Sequence, residues 1–256
     1  MSDIVKYEQR NAVAIITLNR PDSMNAFNRE LRADLNAALG SAQADDTVRV
    51  IVLTGEGRCF SAGADLKAGV SHDVAKMLQA EYRPVQDAIA DIPKPVIAAI
   101  PGSAAGIGLS IALQCDLLIM ADNAFMLSPF TTISLVPDGG LNWLLVRQLG
   151  YRRAFQLSVE SERIPADRCV ELGLANKAVP PAELQSAALE WATALSQRAP
   201  LSLAATKKVM RFAADNSWGS CFDLEAKLQG ELVGSADNHE GVQAFFEKRV
   251  PEFKGE

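Results

Sequence analysis

Pro93-Lys94-Pro95-Val96-Ile97-Ala98-Ala99-Ile100-Pro101-Gly102-Ser103-Ala104-Ala105-Gly106-Ile107-Gly108-Leu109 decides the fold class of this chain. Val96 to Ile100 is an uninterrupted apolar run between prolines, the pattern of a strand buried on both faces. The small residues from Gly102 to Gly108 then lead into a short helix, and Cys115 to Ala121 supplies the next strand. Upstream, Pro93 and Pro95 close a helix predicted within Asp73 to Ile92. Before it, Val48 to Leu53 is another apolar strand, ending at the turn Thr54-Gly55-Glu56-Gly57. A helix precedes that strand: Asn28 caps it, Glu30 sits in its first turn, and Leu31, Leu35 and Leu39 share one face. Ala12 to Leu18 and Ile4 to Arg10 open the chain as strands, with Arg10-Asn11 as a hairpin turn. Ala124 to Leu127 adds further strand. Strand, helix and strand in succession predict right-handed βαβ crossovers and an α/β class.

From about residue 142 the periodicity changes. Helices are expected at Asn142–Leu149, Tyr151–Leu157, Pro165–Leu172, Pro181–Gln197, Pro200–Ala214, Ser217–Val233 and Asn238–Arg249, several opening at a proline or a capping residue. An α/β core with a helical C-terminal region follows from this shift.

A net charge of −6 over 256 residues argues against a general nucleic-acid binder. Cys59, Cys115, Cys169 and Cys221 form no CxxC pair, and with only two histidines, His72 and His239, a Cys/His zinc site is not expected. The cysteines read as reduced packing thiols. No apolar run is long enough to cross a bilayer, and the strand-like segment after Met1-Ser2-Asp3, with Lys6, Glu8 and Arg10, does not resemble a signal peptide, so a cytoplasmic protein is expected.

Two glycine-rich segments carry the chemistry. Phe60-Ser61-Ala62-Gly63-Ala64-Asp65-Leu66 and Pro101 to Leu109 each follow a strand and precede a helix. Small residues let a ligand approach the main chain, and exposed N–H groups at a helix start suit an anion. One well-placed N–H donor to a developing oxyanion is worth roughly 3 kcal/mol in the transition state. Taken singly, either segment also reads as a tight turn. The second is no phosphate loop, since it lacks the Lys-Ser/Thr pair, and it comes too late for a dinucleotide fingerprint.

With NRPDSMNAFN, TGEGRCFSAGADL, PKPVIAAIPGSAAGIGLSIALQCDLLIMA, SLVPDGGLNWLL and EGVQAFFEKRVPEFK in this order, the chain resembles the enoyl-coenzyme A hydratase/isomerase (crotonase) superfamily over nearly its whole length. The resemblance implies a spiral of βαβ units over residues 1–195, becoming helical from about 142. It also implies a C-terminal helical region over 196–256 that builds homotrimers or dimers of trimers. It implies an acyl-coenzyme A substrate, with coenzyme A present only as part of the thioester and no permanent cofactor. The Ala64 and Ile107 N–H groups fall at the two oxyanion donors, Ile107 standing where many members have glycine and narrowing the acyl pocket. Ala26, Ala62, Asp65 and Leu66 fall on the coenzyme A groove. Phe245 and Lys248 fall where C-terminal residues reach the cofactor of their own or a neighbouring subunit, although packing and a solvated charge explain them equally well.

The reaction turns on which acids are present. The two glutamates of the related hydratases fall at Ser110 and Phe130, neither of which supplies a suitable proton. Asp138, in Leu135-Val136-Pro137-Asp138-Gly139-Gly140, is the remaining candidate, as in aspartate-bearing isomerase-like members. Phe130, Ile133, Leu135 and Val136 are expected to give it an apolar surrounding that raises its pKa. Pro-Asp-Gly-Gly is equally good turn sequence. The two glycines also come one residue earlier than in many relatives, and Ser134 replaces a common glycine. A double-bond isomerase with Asp138 shuttling the proton is the leading expectation. An atypical hydratase drawing a second acid from Glu81 and a catalytically inactive acyl-coenzyme A binder are the alternatives. A dehalogenase would need an additional nucleophile and base, and the resemblance gives no histidine in the pocket region of this chain. Glu81, Asp87 and Asp91 are expected to face solvent.

Overall fold

The computed structural model describes residues 3–69 and 73–256, so His72 lies outside the described residues. In chain order the strands are β1 (Val5–Arg10), β2 (Val13–Leu18), β3 (Val50–Gly55), β4 (Cys59–Ser61), β5 (Val96–Ile100), β6 (Ser103–Ala105), β7 (Leu117–Ala121), β8 (Phe125–Leu127), β9 (Ile164–Pro165) and β10 (Lys177–Val179). The helices are α1 (Arg29–Ala44), α2 (Val74–Met77), α3 (Arg83–Asp91), α4 (Ile107–Gln114), α5 (Leu141–Leu149), α6 (Tyr151–Glu160), α7 (Ala166–Glu171), α8 (Leu184–Ser196), α9 (Pro200–Ala213), α10 (Trp218–Leu232) and α11 (Ala236–Glu247).

The main sheet runs β1-β2-β3-β5-β7-β10. Only β1 pairs antiparallel, through a turn in which Asn11 takes φ 53°; β2, β3, β5, β7 and β10 run parallel. Every residue of β3 and β5 is buried, as their unbroken apolar runs require. Helices α1 and α8 cover the sheet, with Leu31, Leu35 and Leu39 fully buried on α1. Asn28 caps α1 by accepting the Leu31 N–H at 2.8 Å.

Three expectations need correction. Two three-residue strands escape the sequence pattern: β4 runs into the first glycine-rich segment and β6 lies inside the second, and they build a second sheet, β4-β6-β8-β9, too short to leave a period in the sequence. Within the mostly helical region after 142, the short strands β9 and β10 go beyond the expected helices; β10 pairs with β7 and β9 with β8. The helix expected over Asp73 to Ile92 is α2 and α3 joined by a π-helical turn, Leu78–Tyr82. Such turns recur at functional sites because they re-aim side chains.

Helix α9 has no buried residue and is held by charge. Lys207 Nζ donates to the carbonyls of Ile89 and Lys94 and pairs with Asp116 at 2.8 Å, and Arg211 joins the same carboxylate at 2.8 Å. Cys59, Cys115 and Cys169 are buried free thiols and Cys221 is a half-buried one. No helix among the described residues is long and apolar enough to cross a membrane.

Candidate active site

The two glycine-rich segments touch. Gly63 takes φ +100°, and a Cβ added there would stand 3.0 Å from the Ala105 carbonyl oxygen and 3.6 Å from the Ile107 nitrogen. Any side chain would force the two loops apart, and a positive φ is itself unfavourable for other residues. The first loop is fixed from both sides. Ser61 Oγ donates to the Asn25 carbonyl at 2.9 Å and accepts the Gly63 N–H at 3.1 Å. Phe27 N–H donates to Gly63 O at 2.7 Å, and Asp65 N–H donates to Phe27 O at 3.1 Å. That parallel bridge leaves the intervening Ala64 N–H directed away from Phe27, by the alternation of an extended chain. Ile107 is the first residue of α4, so its N–H has no acceptor one turn back in the helix.

Asp138 sits in the loop before α5. It lines a cleft of about 490 Å³ together with Leu78, Tyr82, Gln86, Trp143 and Leu144. Its Oδ1 is buried without a hydrogen-bond partner among the described residues, and burial pushes the carboxyl up from its ordinary 3.8 to about 6. The backbone around it is tightly held. Asn142 Nδ2 donates to Pro137 O at 2.6 Å, Ser110 Oγ to Asp138 O at 2.9 Å, and Gln86 Nε2 to Gly139 O at 2.7 Å. Gly139 takes φ +60°, and a Cβ there would overlap Ile107 Cδ1.

The apolar surrounding of Asp138 does not come from where the sequence suggested. Ile133, Leu135 and Val136 are exposed, at 51%, 55% and 71%, because the turn after Phe130 carries them outward. Of that set Phe130 alone is buried. Tyr82 from the π-helical turn is the unforeseen contributor. Its hydroxyl is pushed up chiefly by burial, opposed by Arg32 and reinforced by the Asp138 charge.

Glu81 does not simply face solvent. Buried Arg32 holds its carboxylate at 2.5 Å, while Arg32 also donates to Tyr82 Oη and to Phe27 O, each at 3.1 Å. Asp87 pairs with Arg83 at 3.3 Å on the rim of the Asp138 cleft, and Asp91 is exposed. The Ile107 side chain is 2% exposed and is spent on Gly139 rather than standing free in a pocket.

The residues expected at a coenzyme A groove gather beside the first loop. Arg20 donates to Ala26 O at 2.5 Å and pairs with Asp65 at 2.9 Å; Ala62 is half-buried and Leu66 is exposed. Phe245 and Lys248 are not brought there within one chain. Phe245 is exposed on a separate depression with Leu201, Val242 and Phe253, and exposed Lys248 closes α11 in a left-handed conformation. Among the described residues no group of three or more His, Cys, Asp or Glu could hold a metal ion.

Comparison with known proteins follows the same lines. The sequence profile of the family described as Enoyl-CoA hydratase/isomerase matches residues 8–256. A probable enoyl-CoA hydratase of Rhodobacter capsulatus is 42% identical over 253 residues, covering 98% of each chain. The 1,2-epoxyphenylacetyl-CoA isomerase of Escherichia coli is 35% identical over 261 residues, covering 100% of each. The solved enoyl-CoA hydratase of Bacillus anthracis superposes with a TM-score of 0.95 at 31% identity, over 99% of this chain and 100% of that one. The chain belongs to the enoyl-CoA hydratase/isomerase family, whose shared chemistry is an acyl-thioester enolate held in a backbone oxyanion hole.

Proposed function

We propose that this protein is an acyl-CoA double-bond isomerase in which the Ala64 and Ile107 N–H groups hold the thioester oxygen and Asp138 moves the proton. The Asp138 carboxylate takes a proton from the carbon beside the thioester. The electron pair delocalises into a dienolate whose oxygen accepts the two N–H groups, and the same carboxyl group returns the proton two carbons further along. Neither water nor a second acid is consumed. The observation that carries this reading is the buried Oδ1 of Asp138, which has no hydrogen-bond partner among the described residues; Ser110 and Phe130, standing where the resemblance puts the two hydratase glutamates, agree with it. A carboxyl group with a pKa of about 6 is mostly ionised at neutral pH and still a competent base. Ala26, Ala62, Asp65 and Leu66 line the coenzyme A groove in this reading. Phe245 and Lys248 reach the groove from a neighbouring subunit of a trimer.

Hydration is the second reading, favoured by the name of the Rhodobacter capsulatus relative. It requires a second acid, and the Arg32 ion pair makes Glu81 a poor donor for that task. The test is turnover of 3-hexenoyl-CoA and 2-hexenoyl-CoA by wild type and Asp138→Asn. Isomerisation by wild type and its loss in the variant support the proposal, and equal turnover removes Asp138 from the mechanism. Binding of both esters with no reaction would instead mark an acyl-CoA binder without catalysis.

A further inference from the structure

Three consecutive carbonyls, those of Pro137, Asp138 and Gly139, each accept a hydrogen bond from a side chain on a different helix: Asn142 on α5, Ser110 on α4 and Gln86 on α3. A loop needs no such bonds to make its turn, because the Leu141 N–H already closes onto Asp138 O at 3.1 Å. Ser110 is fully buried and Gln86 is 8% exposed, so both side chains are withdrawn from water to make these contacts. Removing Ser110 leaves Asp138 O with the Leu141 N–H alone among the described residues, and removing Gln86 takes the side-chain donor from Gly139 O, so each loss weakens the hold on the loop.

Ser110 does a second thing. Its Oγ lies 2.9 Å from Asp138 O and 3.4 Å from Gly106 O, the carbonyl immediately before Ile107. One hydroxyl thus stands between the loop that ends in the Ile107 N–H and the loop that bears the Asp138 carboxyl. The Ile107 side chain packs across the same gap onto Gly139.

We infer that Ser110 and Gln86 are positioning residues that hold the Asp138 carboxyl in register with the Ile107 N–H, Ser110 serving as a brace where related hydratases place an acid. The inference rests on the reading of Asp138 as the proton carrier. It assigns Ser110 no proton-transfer step, and the donor in each contact is an ordinary hydroxyl or amide. The titratable and charged groups sharing the cleft are Tyr82, Arg83 and Asp87, all on the helical segment opposite the loop. None of them contacts Ser110 Oγ or Gln86 Nε2 among the described hydrogen bonds.

The test compares full-length Ser110→Ala and Gln86→Met with wild type in three measurements. These are kcat on 3-hexenoyl-CoA, affinity for unreactive hexanoyl-CoA by calorimetry, and the midpoint of the Asp138 carboxyl carbon in a 13C NMR titration of the resting protein. The expected result is a fall in kcat of about tenfold or more with affinity held within about twofold, since positioning acts on the reacting geometry and not on the coenzyme A groove. The Asp138 midpoint should move down from the wild-type value toward 3.8, as a loosened loop admits water. A smaller loss of kcat, a parallel loss of affinity, or an unmoved midpoint would overturn the inference. Should Ser110→Ala fail to fold, Ser110→Cys keeps the volume with a weaker donor and carries the same criteria. If Asp138→Asn proves fully active, the proposed function fails, while the titration in the resting protein still decides whether Ser110 sets the state of Asp138.

Discussion

Ile107 Cδ1 occupies the space that a side chain at position 139 would need, so the residue bearing one proposed oxyanion donor and the loop bearing Asp138 are packed as one unit. Gly139 has no freedom to change, since its φ of +60° already disfavours any side chain. Gly139→Ala should cost about 2–4 kcal/mol of unfolding free energy through overpacking and strain combined. Ile107→Ala carries its own cavity cost of about 2–5 kcal/mol, but in the double variant the overpacking part of the Gly139→Ala penalty, about half, should be absent. Denaturant melts of the two single variants and the double variant read the coupling directly. Simple additivity would show that the contact carries no energy.

The rate should follow the ionisation of Asp138. As the base form is required, kcat/KM for double-bond migration should rise with pH through a midpoint near 6 and stay level above it. A stopped-assay profile between pH 4.5 and 8 checks this, those limits being a choice of roughly two units either side of the midpoint. A profile already level at the acid end would mean that the carboxyl group is hydrated and ordinary.

The same burial makes Asp138 a burden on stability. Its folded pKa of about 6 lies above the ordinary 3.8, so the fold favours the neutral acid. Stability associated with this group is therefore complete below pH 3.8 and is lost as pH rises through about 6. Asn cannot ionise, so Asp138→Asn should be the more stable protein at pH 8, with the difference closing toward pH 4. The full interval would correspond to ~3 kcal/mol, and partial solvent access reduces the expected gain to about 1 kcal/mol. A less stable variant at pH 8 would contradict this assignment.

Gly63→Ala tests the first loop. With a φ of +100° and the Ala105 carbonyl 3.0 Å from an added Cβ, the variant strains the backbone next to Ala64 and crowds the second loop, and the Ala64 N–H is expected to shift. Loss of one oxyanion donor lowers kcat by about 10²–10³. The far-UV spectrum should be unchanged, because neither long helix nor the main sheet depends on that position. Activity near wild type would mean that the Ala64 N–H does not serve the reaction.

What could be read from the chain beforehand follows the length of the signal. The buried runs of β3 and β5, the Asn28 cap and the leucine face of α1 each spread over several residues and emerge from periodicity alone. The second sheet does not, because β4, β6 and β8 have three residues each, too few to show alternation, and of these only β8 could be read as strand beforehand. Asp138 could be found as a candidate, but its setting could not. Ile133, Leu135 and Val136 are adjacent in sequence yet turn outward, while Tyr82 and Gln86 arrive from more than 50 residues away. Ser110 looked like a lost acid, and only its 2.9 Å contact across 28 residues gives it a use. Arg32 and Glu81 are likewise separated by 49 residues, and nothing in either local segment announces their pairing.

The most direct measurement is incubation of 3-hexenoyl-CoA with the protein in deuterated water enriched in 18O, followed by mass analysis of the acyl group. Conversion to 2-hexenoyl-CoA with no 18O, and with deuterium only to the extent that the Asp138 carboxyl proton exchanges with solvent before its return, is the expected result. A 3-hydroxyacyl product carrying 18O, formed equally well by Asp138→Asn, would contradict the single-carboxylate mechanism outright.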